Sequence, residues 1–155
     1  LYNKHEPDLE AEKELGIKFV PLDELLSKSD FVTLHVPLTD ETRGMINKSA
    51  LDKMKQGSYL VNTARGPIVD ESDLIGALES GKLTGAALDV FESEPNISPK
   101  LISMPNVIMT PHIASATREA RNKMGEQAVG AILDTLDNIK PQNMVDEKVW
   151  PARRH

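Results

Sequence analysis

The chain has 155 residues, of which 39% are hydrophobic, 27% charged and 4% aromatic, the make-up of one soluble domain of α/β size. Cysteine is absent, which excludes a disulfide framework and a thiolate metal site, and no run approaches the ~18 apolar residues of a membrane span. With 18 basic against 24 acidic residues the net charge is −6, which speaks against a general nucleic-acid or anionic-membrane surface and fits a reducing, cytoplasmic setting.

In chain order, Pro7 suits a first helical turn, Leu9 to Leu15 continue it in a Glu-rich stretch, and Gly16 stops it. Ile17–Val20 reads as a first strand and Phe31–Val36 as a second. Asn47 is positioned to cap a helix over Lys48–Gln56, ended by Gly57, and Ser58–Thr63 reads as a third strand. Asp70 caps a segment with Asp73 at its third position, Leu74, Ile75, Ala77 and Leu78 on one face, and Gly81 at its exit. Gly85–Val90 forms a fourth strand candidate and Val107–Thr110 a fifth. Between them the loop Phe91–Met104 carries Glu92, Glu94, Pro95 and Pro99, and is long for an α/β connection, as functional loops often are. Thr117 opens a long helix to about Ile139, ended by Pro141. Gly125 and Gly130 inside it each cost about 1 kcal/mol against alanine, which predicts close packing on another element. Residues Pro141–His155 read as an exit strand or arm. Tyr59-Leu60-Val61 and Val107-Ile108-Met109 are continuously apolar, the pattern of strands covered on both faces.

Strands and helices in alternation predict an α/β fold, a doubly wound parallel sheet with right-handed crossovers. Ligands of such sheets bind at the carboxyl ends of the strands. The segments placed there are His35-Val36-Pro37-Leu38-Thr39, Asn62-Thr63-Ala64-Arg65-Gly66, Asp89 through Glu94-Pro95, and Pro111-His112-Ile113-Ala114-Ser115. One sheet edge thereby collects Arg65, Asp89, Glu94 and His112. An arginine can hold a carboxylate by two parallel hydrogen bonds, and a histidine whose tautomer is fixed by a carboxylate is an acid/base pair. Taken singly, each is most simply an ion pair or a satisfied polar side chain; their coincidence at one edge points to proton transfer to the carbonyl of a substrate that itself bears a carboxylate. The histidines at 5, 35, 112 and 155 show no metal spacing.

Four motifs carry a family resemblance: His35-Val36-Pro37-Leu38-Thr39 with Glu41-Thr42-Arg43-Gly44; Asn62-Thr63-Ala64-Arg65-Gly66; Gly85-Ala86-Ala87-Leu88-Asp89-Val90-Phe91 with Glu94-Pro95; and Thr110-Pro111-His112-Ile113. In order and spacing they resemble the cofactor domain of the D-isomer-specific 2-hydroxyacid dehydrogenases. The resemblance implies a Rossmann-like fold, hydride transfer from a nicotinamide cofactor, and a small 2-oxo acid as substrate, with glyoxylate or hydroxypyruvate favoured by the look of Pro111–Thr117. It implies that Arg65 anchors the substrate carboxylate, His112 gives the proton to the keto oxygen and Glu94 supports it, while Asp89 bonds the nicotinamide carboxamide. Pro37, Thr42, Thr63, Ala64, Arg65, His112 and Ala114 would line the cofactor. Glutamate at 94 is similar to the hydroxyacid enzymes rather than to the related formate dehydrogenases, and members of the family are usually homodimers.

The chain also departs from the family, since no G-x-G-x-x-G occurs in it and the phosphate-cradling turn is missing. The expectation is a fragment that lacks the first strand and Gly-rich turn, with residues 1–145 a partial dinucleotide-binding domain and 146–155 an arm leading back to an absent substrate domain. Leu1-Tyr2-Asn3 resembles the end of the family's second strand. At such a strand end an acidic residue accepts the ribose hydroxyls of NAD, so Asn3 and Lys4 tilt the expectation from NAD toward NADP. Two alternatives stand beside a reductase: a nucleotide-regulated protein-binding module, because co-repressors of the C-terminal-binding-protein type resemble Glu92-Ser93-Glu94-Pro95, and a non-catalytic remnant.

Overall fold

A computed structural model of the chain describes residues 9–151; Pro7, Asn3 and Lys4 lie outside them. The elements are α1 (Leu9–Leu15), α2 (Leu22–Lys28), β1 (Phe31–Leu34), α3 (Lys48–Lys53), β2 (Ser58–Asn62), α4 (Glu71–Glu79), β3 (Leu83–Leu88), α5 (Pro99–Ile102), β4 (Val107–Met109) and α6 (Arg118–Leu136), with 3-10 turns at Gly66–Ile68 and Glu147–Val149. The described residues divide into two units between His112 and Ile113.

The first unit is built on a parallel sheet in the order β1-β2-β3-β4, the Rossmann-like α/β arrangement expected from the alternation of elements. Register aligns Val32 with Leu60, Leu60 with Ala86 and Ala86 with Val107, and in the next inward row Leu34 with Asn62, Asn62 with Leu88 and Leu88 with Met109. These rows face the core, where Leu26 of α2, Leu51 and Met54 at α3, Ile68, Leu74 and Leu78 of α4, and Leu101 of α5 are almost wholly buried. Helix ends follow their local chemistry. The Asn47 side chain accepts the Ala50 N–H at 3.2 Å, that of Asp70 accepts the Asp73 N–H at 2.9 Å, and Gly81 leaves α4 in the left-handed region at φ 71°.

Several expectations change. Ile17–Val20 is not a strand: the Ile17 N–H goes to the Glu12 carbonyl at 3.1 Å and that of Phe19 to the Glu12 carboxylate, so no ladder forms. The helix after Asn47 stops at Lys53, because Met54 already has ψ 153°. Helix α2 was not anticipated, and α5 interrupts the stretch expected to be a plain loop. Among the described residues the two continuously apolar runs are covered on one face only, with Tyr59 38% and Ile108 71% exposed; the ring of Phe31 on β1 stacks on that of Tyr59 at 4.9 Å.

The second unit holds α6, capped by Thr117, whose side chain accepts the Ala120 N–H at 3.1 Å. It ends at Leu136 rather than Ile139, and none of its residues is buried. Nothing lies within 4 Å of where a Cβ on Gly125 or Gly130 would sit, so the close packing predicted there is not provided by the described residues. Of the exit strand or arm expected from Pro141, the described residues 141–151 form no strand and carry a 3-10 turn. No helix among the described residues is long and apolar enough to cross a membrane.

Candidate active site

The candidate residues of the first unit sit where each strand hands over to its loop. Arg65 comes after β2 and precedes the Gly66–Ile68 turn with extended backbone, φ −148° and ψ 138°. Its conformation is bracketed by Asn62, only 1% exposed, whose side-chain oxygen accepts the Ala64 N–H at 3.0 Å and whose amide donates to the Arg65 carbonyl at 3.0 Å. The Arg65 guanidinium is itself exposed and donates from Nη1 to the Ala64 carbonyl at 2.7 Å.

Asp89 comes directly after β3 and is 3% exposed; its carboxylate accepts the Thr110 hydroxyl, and its N–H continues the ladder to the Asn62 carbonyl at 3.0 Å. After β4 the chain turns at His112, which has φ 53°, a left-handed conformation that costs a residue with a Cβ and therefore needs support. Its N–H supplies that support by donating to the carbonyls of Asp89 at 2.9 Å and Thr110 at 3.0 Å. The ring then meets Glu94, with His112 Nδ1 2.8 Å from Glu94 Oε2. The other carboxylate oxygen of Glu94 accepts the Phe91 N–H at 2.9 Å.

These bonds hold the Glu94 carboxyl below its ordinary value, chiefly through His112 and then through the Phe91 N–H, against smaller opposing effects of burial and the Asp89 charge. Glu94 is therefore a carboxylate at neutral pH and only accepts, so Nδ1 carries the shared proton. Both side chains stay in reach of solvent, His112 at 48% and Glu94 at 34% exposure.

A cavity of about 540 Å³ opens at the carboxyl ends of β1 and β2, lined by His35, Val36, Pro37, Leu38, Thr63, Ala64 and Arg65. Of the residues expected along a cofactor, Pro37, Thr63, Ala64 and Arg65 line it. Thr42 does not: it is buried, and its hydroxyl donates to the Pro37 carbonyl at 2.6 Å and accepts the Thr39 N–H at 2.8 Å, so it braces the wall from behind. Ala114 belongs to the second unit. His35 lines the cavity although it was not among the expected site residues, and it hydrogen-bonds Thr33 at 2.9 Å; its place directly after a strand was the available signal. Among the described residues no group of His, Asp and Glu side chains is arranged to hold a metal ion.

A parallel sheet with a cleft, an arginine and a carboxylate–imidazole pair along its carboxyl edge defines a Rossmann-like dinucleotide-binding domain. Residues 1–114 match the family described as D-isomer specific 2-hydroxyacid dehydrogenase, NAD binding domain, and the chain belongs to that family. It is 47% identical over 154 residues to a glyoxylate reductase of Thermococcus onnurineus, covering 99% of this chain and 46% of that protein. It is 44% identical over 150 residues to a glyoxylate/hydroxypyruvate reductase B of Serratia proteamaculans, covering 96% of this chain and 46% of that one. The crystal structure of a glyoxylate reductase from Paecilomyes thermophila superposes with a TM-score of 0.85 at 37% identity, covering 95% of this chain and 44% of that chain. The chain thus spans about half the length of the curated relatives it matches.

Proposed function

We propose that this site serves the reduction of a small 2-oxo acid to the 2-hydroxy acid, with glyoxylate or hydroxypyruvate as substrate. The observation that carries the reading is the His112–Glu94 hydrogen bond, which orients the imidazole on the sheet edge that also bears Arg65.

The cavity fits a nicotinamide dinucleotide. Val36, Pro37 and Leu38 offer an apolar wall for a flat ring, and Thr63 offers a hydroxyl for a ribose. When bound, a reduced nicotinamide supplies a hydride to the carbonyl carbon. The chain's own residues supply the rest: Arg65 releases its bond to the Ala64 carbonyl and takes the substrate carboxylate in two parallel hydrogen bonds, and His112 passes the Nε2 proton to the keto oxygen. Glu94 keeps the ring oriented. Hydride and proton together turn C=O into CH–OH. Asp89 is assigned to the cofactor side, toward the carboxamide.

Asn3 and Lys4 support NADP over NAD, and a competition assay decides it, a much lower KM for NADH counting against. We assign residues 1–145 to the dinucleotide-binding domain, 146–155 to a connecting arm, and the protein to the cytoplasm. A homodimer is supported by α6, which leaves Met124, Val129, Ile132, Leu133 and Leu136 more than half exposed; sedimentation tests it. The activity is tested by mixing the protein, as its source makes it, with glyoxylate or hydroxypyruvate and following NADPH or NADH oxidation. Turnover that His112→Asn removes is the expected result. Nucleotide binding without turnover of either acid would favour the protein-binding module.

A further inference from the structure

Asn62 stands in the core-facing row of the sheet between two leucines, Leu34 on β1 and Leu88 on β3, and is 1% exposed. An amide in such a row costs free energy unless both its ends are satisfied, and a leucine would extend the row without that demand. Both ends of Asn62 are spent on one short stretch of backbone: the oxygen on Ala64 N–H and the nitrogen on the Arg65 carbonyl, each at 3.0 Å. The Arg65 guanidinium in turn rests on the Ala64 carbonyl at 2.7 Å. The Ala64 residue is therefore held by the carboxamide through its N–H and by the guanidinium through its C=O. A turn alone would need only the first of the two Asn62 contacts. The second grips the main chain of the arginine from which the guanidinium reaches into the cavity.

We infer that Asn62 is a positioning residue for Arg65, orienting the guanidinium toward the substrate carboxylate. This rests on the carboxylate-anchoring role proposed for Arg65. Asn62→Asp keeps the shape and the oxygen facing Ala64 but, as a carboxylate, turns the donor facing the Arg65 carbonyl into an acceptor. Asn62→Ser keeps a hydroxyl that reaches Ala64 but not Arg65, and places no charge in the core.

The experiment is a double-mutant cycle in the protein as its source makes it, reading the KM for the 2-oxo acid, kcat, and the Kd of NADPH or NADH for Asn62→Asp and Asn62→Ser, each alone and combined with Arg65→Lys. Either Asn62 variant is expected to raise the oxo-acid KM about tenfold or more with nucleotide Kd changed by less than about threefold, and to add less than about twofold once Arg65 is lysine. An Asn62 effect that multiplies in full on the Arg65→Lys background overturns the inference, because Asn62 then acts independently of the arginine. An oxo-acid KM unchanged by both Asn62 variants overturns it also, as does loss of the folded near-ultraviolet spectrum in both, which would assign Asn62 to folding alone. If Arg65→Lys leaves the oxo-acid KM unchanged while turnover persists, the anchoring role itself fails and the inference falls with it; a raised KM in Arg65→Lys without an Asn62 effect removes only the inference.

Discussion

The main chain of Gly66 lies against the carbonyl of Phe91 so closely that a Cβ on residue 66 would stand 1.8 Å from the Phe91 oxygen and 2.6 Å from the Glu92 nitrogen. The loop after β2, which carries Arg65, and the loop after β3, which carries Glu94, are thus in direct backbone contact. Phe91 is also the residue whose N–H holds Glu94, so the contact joins the arginine side of the site to the carboxylate–imidazole side.

Gly66→Ala is therefore expected to push the two loops apart, since backbone atoms cannot swing aside as a side chain can. Overpacking of this kind costs about 1–3 kcal/mol, or roughly 2–4 °C of melting temperature per kcal/mol in a chain of this size. Thermal unfolding checks it, and an unchanged midpoint would show that the Phe91 loop yields without cost.

His112→Asn should remove most turnover, by about 10²- to 10⁴-fold, the usual value of a positioned proton donor. Asparagine tolerates the left-handed backbone that residue 112 adopts, so the variant tests the ring rather than the turn. Nucleotide affinity should stay within a few-fold, read by titration of NADPH fluorescence.

Glu94 makes stability depend on acid in a defined direction. Its folded carboxyl lies below the ordinary value of 4.5, so its contribution is complete above that value and is lost as pH falls through the lower folded one. Urea midpoints measured between about pH 5 and pH 3 should fall more steeply for the natural protein than for Glu94→Gln. Parallel curves would remove the His112 and Phe91 bonds as the cause.

Asp70→Ala takes away the side-chain cap of α4, whose oxygen receives the Asp73 N–H at 2.9 Å. The expected loss is about 1 kcal/mol, with Asp70→Asn retaining most of the stability. Denaturant midpoints of the two variants give the comparison.

The features legible in the sequence were local or were placed by strand ends. Asn47 and Asp70 announce their helices because a cap and its first turn are neighbours in the chain. Arg65, Glu94 and His112 stand out because a parallel sheet sends the loops after its strands to one edge. By contrast, Ile17–Val20 has the composition of a strand, but a strand is a property of a pair, and its amides are drawn to Glu12 instead. Helix α2 has seven residues, no side-chain cap and one buried side chain, Leu26, too little for periodicity to register. Helix α5 is a single turn. Asn62 was visible only as part of a motif, since its two bonds exist only once residues 62–65 have turned.

The strand order has a consequence for how the sheet is assembled. Among the described residues each strand pairs with its neighbour in sequence, so each crossover, once closed, adds one strand to a growing edge. The strand order also places β2 and β3, from which Arg65 and Asp89 extend, between paired strands on both sides.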